Sequence, residues 1–336
     1  MKNQQEERGR RIFNGDLCAQ RMSKSVKNQQ EERGRPIFNG DLCAQRMSNI
    51  GEKMELWFSE MHTPHVKLSI QVSRQLTHVQ SKFQRVEVFE SPEFGRFLVL
   101  DGFMMLSEKD EFIYHEMITH VPMAVHPRAE NILVIGAGDG GAVRELAKYE
   151  QIKKIDVAEI DAEVVRVCKE FFTTTACGFD DPRVEIFYED GLRFVRGREN
   201  VYDVIIVDST DPFGPGEGLF SMEFYGNCFR ALKSDGILIN QHESPFYEKD
   251  AQIVRRVHKR IVQSFETSRV YQAHIPTYPS GHWLFGFASK GLHPVRDLNA
   301  EKWNALGVAT KYYNTNLHRG AFCLPTYVQG MLSAVE

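Results

Sequence analysis

Residues 131–141 read NILVIGAGDGG, a short and continuously apolar run that ends in a cluster of glycines. A strand buried on both faces of a sheet has this character. Downstream, AVRELAKY (142–149) has helical spacing, KKIDVAEID (153–161) is a second apolar run, and AEVVRVCKEFF (162–172) a second helix. RVEIFYED (183–190) and YDVIIVDSTDP (202–212) supply a third and a fourth strand, and EFYGNCFRALK (223–233) and GILINQ (236–241) another helix and strand. Strands alternating with helices make βαβ units with right-handed crossovers, so the spacing predicts an α/β, Rossmann-like, doubly wound parallel sheet. Ligands of such sheets bind at the carboxyl ends of the strands.

Those ends carry glycines or acids. The first is Gly136-Ala137-Gly138-Asp139-Gly140-Gly141, the second holds Glu159 and Asp161, the third Asp190-Gly191, and the fourth Asp208 and Asp211. Any one of these carboxylates could be a helix N-cap. Four together point to a ligand. The glycines satisfy GxGxxG, with Glu159 lying 23 residues beyond Gly136, as a nicotinamide dinucleotide would require. A nucleoside sulfonium fits the same pattern, because both place a ribose against the acid ending the second strand. Asp139 separates them: a carboxylate inside the loop repels a pyrophosphate seated on the helix N-terminus. Asp190 suits an adenine amino group, so an S-adenosylmethionine-type ligand is favoured. Intact S-adenosylmethionine also brings an α-carboxylate to this loop. Its decarboxylated form brings a bare aminopropyl ammonium, which Asp139 would attract through a charge-assisted hydrogen bond. The competing reading makes Asp139 a helix cap.

Upstream, KLSIQVSRQLTHVQ (67–80), QRVEVFES (84–91) and RFLVLDG (96–102) alternate apolar and polar residues around a Pro-Glu-Phe-Gly turn, which predicts strands from Lys67 to Leu106. FMMLSEKDEFIYHEMITHVPMAVHP (103–127) shifts to a helical period, with Phe112, Met117, His120 and Val121 able to share a face. The organisation expected is a small β-strand domain over 54–122 and a catalytic domain over 123–336. Before them, residues 2–23 recur at 27–48 with a single difference, Arg11 against Pro36. Two polar, Gly-containing copies without a periodic apolar face do not make a repeat architecture. The segment 1–53 is expected to be a disordered, dispensable extension, with Met54 a natural start for the body of the chain.

The chain has 336 residues, of which 42% are hydrophobic and 26% charged, a soluble globular composition of two-domain size. Residues 1–53 hold 11 Lys+Arg and 7 Asp+Glu, so the net −4 of the chain divides into +4 there and −8 (30 against 38) in the body. That balance argues against a nucleic-acid partner and for a cationic one. No apolar run approaches the roughly 20 residues that span a bilayer, and the amino terminus lacks the apolar stretch of a signal peptide. A cytoplasmic protein without membrane association is expected. None of the six cysteines forms a CxxC pair, and Cys168, Cys177, Cys228 and Cys323 read as reduced thiols with no metal site.

Taken in order, EKDEFIYHEM, GAGDGG, AEID, CGFDDPRVE, YEDG, VDSTDP and PTYPSGHW resemble the spermidine synthases, polyamine aminopropyltransferases. The resemblance runs from about Glu55 to the carboxyl terminus; the first 53 residues have no counterpart. It implies an enzyme that moves the aminopropyl group of decarboxylated S-adenosylmethionine, a co-substrate, to putrescine, with no cofactor and no metal, as a homodimer or homotetramer. By motif, Gln84, Gly136, Gly138, Asp139, Glu159, Asp190, Gly191 and Pro215 resemble the residues around the nucleoside donor. His115, Asp139, Asp208, Asp211, Gln241 and Tyr278 resemble those around the amine. Asp208 resembles the proton acceptor and Tyr114 a hydroxyl beside it. Ala137 stands where many members have glycine. QHESPFY (241–247) resembles bacterial members more than animal ones, and it borders the acceptor.

The chemistry implied is displacement at the carbon bonded to the sulfonium. Methylthioadenosine leaves as a neutral thioether, so the difficulty is the acceptor amine, which at pH 7 is mostly protonated, a deprotonation cost of roughly 4–5 kcal/mol. A carboxylate in reach can take the proton. STDPFGPGEG (209–218), rich in Gly and Pro, reads as a lid or as an ordinary surface turn. Agmatine, cadaverine or spermidine as acceptor, a small-molecule methyltransferase, and a catalytically silent homologue are the alternatives.

Overall fold

The computed structural model describes residues 55–209 and 214–335, with side chains for all but three residues of the segment 214–217 among them. The duplicated extension lies outside the described residues. The chain from Glu55 begins with an antiparallel hairpin, β1 (Leu56–Thr63) and β2 (Val66–Val72), followed by a four-stranded antiparallel meander: β3 (Arg74–Gln80), β4 (Arg85–Ser91), β5 (Gly95–Leu100) and β6 (Phe103–Ser107). Strand structure therefore starts eleven residues before Lys67, where the alternation first becomes legible. The pattern of β1 is partly inverted: Phe58 packs inward against Phe89 and Phe97, but its neighbour on that face is the buried Glu60, while Trp57 and Met61 on the other face are half exposed. An acid pointing in and apolar residues pointing out defeats the usual reading of a half-buried strand.

FMMLS is strand, not the start of a helix. It pairs with β5 (Leu98 opposite Leu106, Val99 opposite Met104), and the helix α1 begins only at Glu111 and runs to Val125. Ser107 and Asp110, joined by a 2.6 Å hydrogen bond, occupy the turn between them. Of the fifteen residues in α1, all but Phe112 are buried, so the helix has no solvent face of the expected kind. It lies against the main sheet and the helix after β7. A domain boundary at residue 122 falls inside this helix.

The main sheet has seven strands: β7 (Asn131–Gly136), β8 (Lys154–Ala158), β9 (Val184–Phe187), β10 (Tyr202–Asp208), β11 (Leu232–Gln241), β12 (Thr267–His274) and β13 (His282–Ser289), in the order β12-β13-β11-β10-β7-β8-β9. The five strands β11-β10-β7-β8-β9 are parallel, as the βαβ rhythm predicts. Two further strands make the sheet mixed, β13 running antiparallel to β11 and β12 antiparallel to β13. An antiparallel pair on the edge of a parallel sheet is a common extension. HWLFGFAS, the continuously apolar sequence of β13, is as compatible with a buried helix as with a strand. The helices α2 (Gly141–Ala147), α3 (Ala162–Phe171), α4 (Gly191–Val195), α5 (Met222–Ala231) and α6 (Glu248–Val262) join the strands.

The order reverses at β7, with β8 on one side and β10 on the other, and there the crevice opens. Asp208, last in β10, pairs in register with Gly136, last in β7. Gly136 has φ +85°, and a Cβ there would run into the Asp208 carbonyl, so only glycine lets the loop turn at this point. Ala137 follows with φ +62°, a left-handed conformation held by its N–H to the Asp208 carbonyl (2.8 Å). The methyl is accommodated, but in a backbone region that L-residues occupy at a cost.

Candidate active site

One pocket at these strand ends is lined by Gln84, Tyr114, His115, Gly136, Gly138, Asp139, Glu159, Asp190, Gly191, Asp208, Gln241 and Tyr278. These are all the expected site residues except two. Asp211 lies outside the described residues, and of Pro215 no side chain is described. Residues 210–213 of the expected lid are likewise outside, while Ser209 before them, and Gly216 and Leu219 on a 3₁₀ turn over Gly214–Phe220, reach the pocket wall.

On one side the acids are anchored by backbone N–H groups. Asp190 caps α4, its Oδ1 accepting from Leu192 (2.8 Å) and Arg193 (3.2 Å). Glu159 accepts through Oε1 from the Asp161 N–H (2.8 Å), and Asp161 caps α3 by accepting from Glu163 (3.1 Å). Anchoring and availability to a ligand are compatible: in Asp190 and Glu159 these bonds fall on one oxygen of the carboxylate. Asp161 has a second task that no local pattern betrays. Its Oδ2 accepts from Ser81 Oγ (2.7 Å) and Gln84 Nε2 (3.1 Å), which ties the β3–β4 turn of the meander to the sheet and orients Gln84. Burial, with Asp161, Asp139 and Asp208 adding negative charge, pushes the Glu159 carboxyl up to about 7.

The other side centres on Asp208. Burial and then the charge of Asp139 push its carboxyl up to about 7, against the opposing pull of His115 and of the Tyr114 hydroxyl. Its Oδ2 is buried with no hydrogen-bond partner among the described residues. An orphaned carboxylate oxygen at a strand end is costly to keep and ready for a donor. Asp139 differs: although half-buried, it is held below the usual carboxylate range by His115 and by the Gly141 N–H, which donates to Oδ1 at 2.6 Å. His115 is the surprise. Its Nδ1 lies 2.6 Å from Glu111 Oε2 and its Nε2 3.1 Å from Asp139 Oδ1, and the two carboxylates raise its pKa well above the ordinary imidazole value against its burial. An imidazolium between two carboxylates donates from both nitrogens and has no lone pair for an ammonium, so this geometry favours contact with Glu111 and Asp139 over the expected direct contact with the amine. For the same reason it makes a poor metal ligand, although it, Asp139 and Asp208 offer donor atoms within 4.8 Å of one another.

Tyr278 donates its hydroxyl to the Met105 carbonyl (2.6 Å), and its ring packs 5.9 Å from that of Tyr114 and 4.8 Å from that of Trp283. Gln241, at the end of β11, donates to Glu243 Oε1 (3.3 Å) and accepts from the Glu243 N–H (3.1 Å).

Residues 111–299 match the spermine/spermidine synthase domain and residues 56–108 the spermidine synthase tetramerisation domain. The chain belongs to the spermidine synthase family. It is 65% identical over 283 residues to the polyamine aminopropyltransferase of Alkaliphilus oremlandii, covering 84% of this chain and 100% of that one. With the polyamine aminopropyltransferase of Clostridium beijerinckii it shares 61% over 282 residues, 84% of this chain and 99% of the other. Among solved structures, a spermidine synthase in complex with the transition-state analogue AdoDATO superposes with a TM-score of 0.81 at 42% identity, covering 83% of this chain and 95% of that chain. Spermidine synthase from Thermotoga maritima gives 0.78 at 41%, covering 83% and 94%.

The family motifs do not exhaust this pocket. Glu60, His62, Glu243, Lys249 and Asp250 also line it. Glu60 reaches in from the hairpin, accepting the Met104 N–H at 2.7 Å. Its partly inverted strand was the available signal. Glu243 sits in QHESPFY, beside the expected Gln241, and has φ +71°, a strained backbone of the kind that gathers at functional sites.

Proposed function

We propose that this chain transfers the aminopropyl group of decarboxylated S-adenosylmethionine to putrescine, giving spermidine and methylthioadenosine. One observation carries the choice of donor: the half-buried Asp139 carboxylate stands in the glycine loop with the Gly141 N–H (2.6 Å) and His115 Nε2 (3.1 Å) on its Oδ1, and both hold its pKa below the usual carboxylate range. A fixed negative charge there repels the α-carboxylate of intact S-adenosylmethionine and attracts the ammonium left by decarboxylation. Glu159 would accept from the ribose hydroxyls, Asp190 and Gly191 would meet the adenine, and Gln84 would border the nucleoside.

In the transfer, the acceptor nitrogen attacks the carbon bonded to the sulfonium. Asp208 first takes a proton from the acceptor ammonium and frees the nitrogen lone pair; a C–N bond then forms as the C–S bond breaks, the electron pair returns to sulfur, and the product nitrogen is left as a secondary ammonium. The orphaned Oδ2 of Asp208, with Tyr114 beside it, supports this assignment of the base. Asp211, Gln241 and Tyr278 are assigned to the acceptor channel, where the additional acids Glu60, Glu243 and Asp250 favour a dication. Assembly as a homodimer or tetramer is part of the reading. Leu56, Trp57, Met61 and Val66 are exposed apolar side chains of the hairpin, which lies within the region matching the tetramerisation domain. A cytoplasmic location is expected for such an enzyme, and among the described residues no helix is long and apolar enough to cross a membrane.

The test is incubation with either intact or decarboxylated S-adenosylmethionine and each of putrescine, agmatine, cadaverine and spermidine, with products read by mass. Spermidine formed from the decarboxylated donor and putrescine is the expected result. A methylated product from the intact donor would overturn the donor assignment, and preference for another amine would correct the acceptor.

A further inference from the structure

We propose that Glu111 and Arg144 are positioning residues of this site, holding the His115 ring so that its Nε2–H fixes the Asp139 carboxylate. Glu111 and His115 stand one turn apart on α1, the spacing at which side chains meet. The Glu111 carboxylate receives His115 Nδ1 on Oε2 at 2.6 Å and the Arg144 guanidinium on both oxygens, Nη1 to Oε1 and Nη2 to Oε2, each at 2.9 Å. Arg144 continues to Glu145 (2.9 Å), whose Oε2 takes Lys148 Nζ at 2.5 Å and His120 Nε2 at 2.9 Å. Charges thus alternate from the pocket towards the surface through Asp139, His115, Glu111, Arg144, Glu145 and Lys148.

The geometry fixes the protonation of the ring. A carboxylate faces each nitrogen, so a neutral imidazole would aim a lone pair at one of them, whereas imidazolium donates to both. Space for the ring is made by Gly141, the first residue of α2, because a Cβ there would run into it. Glu111 and His115 are almost wholly buried, so the pair is little screened by water. The groups facing His115 and Asp139 are Glu111 from α1, the Gly141 N–H from α2, Asp208 from β10 and Glu159 from the loop after β8. In Asp139 both anchoring bonds fall on Oδ1, which leaves Oδ2 for an ammonium. Removing Glu111 would free the ring to lose its proton and turn a lone pair towards Asp139.

This inference rests on the proposed role of Asp139, and its first readout needs no substrate. Nitrogen-15 NMR of histidine-labelled protein at pH 8 is expected to show His115 protonated on both nitrogens, and in Glu111→Gln as a neutral tautomer. In kinetics, Glu111→Gln should lower kcat/KM for the decarboxylated donor by about 10- to 100-fold, the weight of a charge-assisted bond, with methylthioadenosine affinity changed by less than about twofold. If Glu111 acts through Asp139, adding Glu111→Gln to Asp139→Asn should cost less than about threefold more. A neutral ring in the native protein, equal losses for donor and methylthioadenosine, or fully multiplicative losses in the double variant would each overturn the proposal. Should Glu111→Gln not fold, Arg144→Lys, which breaks the bidentate clamp, gives the same readings in weaker form. A native protein that fails to transfer aminopropyl groups while its ring is doubly protonated would refute the proposed function and leave the geometry of the clamp standing.

Discussion

Replacing Asp208 by Asn tests the proposed base with the least disturbance of shape. The side chain ends β10, a rigid strand whose residues from Tyr202 to Val207 are buried, and the amide keeps its size. What it loses is the ability to take a proton. With an acceptor near 10.4 and a base near 7, proton transfer to Asp208 costs about 4–5 kcal/mol. The Asn variant has no such route and depends on amine that arrives neutral, about one molecule in 2,500 at pH 7 and a few per cent at pH 9. Turnover at neutral pH should therefore fall by about 10²- to 10⁴-fold, and the deficit should shrink by about tenfold for each pH unit between 7 and 9. Native activity should fall as pH drops through about 7, since only the ionised carboxylate accepts a proton. Stability has the opposite sign. A folded pKa raised from 3.8 to about 7 means that the ionised group burdens the fold at pH 8 and is relieved as pH falls towards 4. The variant should then unfold at a temperature no lower than the native protein at pH 8, with any advantage fading in acid. Rates by product mass across pH 6.5–9.5, methylthioadenosine affinity by calorimetry and thermal unfolding complete the assay. Near-normal turnover at pH 7, or a pH profile parallel to the native one, would place the base elsewhere, with Tyr114 next in line.

Asp139→Asn should reduce donor efficiency by about 10- to 150-fold and methylthioadenosine affinity far less, because the amide oxygen still accepts the Gly141 N–H but no longer offsets an ammonium; equal losses would make Asp139 a cap only. Ala137→Gly should stabilise the fold by up to about 1 kcal/mol by relieving the left-handed backbone at φ +62°, whereas Ala142→Gly, buried in α2, should cost about as much; two equal destabilisations would count against the strain. Methylthioadenosine should bind more tightly as pH rises from 6 to 8 and should release a proton on binding below pH 7, because Glu159 is pushed up to about 7 in the free protein and must ionise to accept the ribose hydroxyls. Calorimetry in buffers of different ionisation enthalpy reads this directly, and pH-independent affinity would contradict it.

The parallel half of the sheet was legible because its strands are buried on both faces and end in glycines and acids, a pattern that survives any detail of packing. Asp139, Glu159, Asp190 and Asp208 converge on one pocket because parallel strands must all end on the same side. Three features were hidden for physical reasons. β1 carries Trp57 and Met61 outward and Glu60 inward, so period-two reading had little to find. β13 is uniformly apolar, which leaves strand and helix undistinguished. FMMLS belongs to the meander through its pairing with β5, a contact that no local period encodes. Within the site, motif resemblance located His115, but only the distances show which atoms its nitrogens face, Glu111 Oε2 and Asp139 Oδ1. The spacing of Glu111 and His115 was visible on the helix. Its meaning depended on Arg144, which only the fold brings beside them.

The pocket's electrostatics also bear on how Asp208, as the proposed base, would work beside the sulfonium donor proposed above. In the free protein Asp139, Glu159 and Asp208 repel one another, and that repulsion adds to burial in raising Glu159 and Asp208. A donor carrying a sulfonium and an ammonium removes part of the repulsion, so Asp208 becomes a weaker base once the donor is bound. The same positive charge acidifies the acceptor's ammonium, which must sit within hydrogen-bond reach of Asp208 and close to the sulfonium-bound carbon. Both pKa values move down together, and it is their difference that sets the cost of the proton transfer. The donor's charge therefore nearly cancels from that difference, while it still favours attack at the adjacent carbon. What remains under the protein's control is the local environment of Asp208: its burial and the charge of Asp139, which raise its pKa, and His115 and the hydroxyl of Tyr114, which lower it.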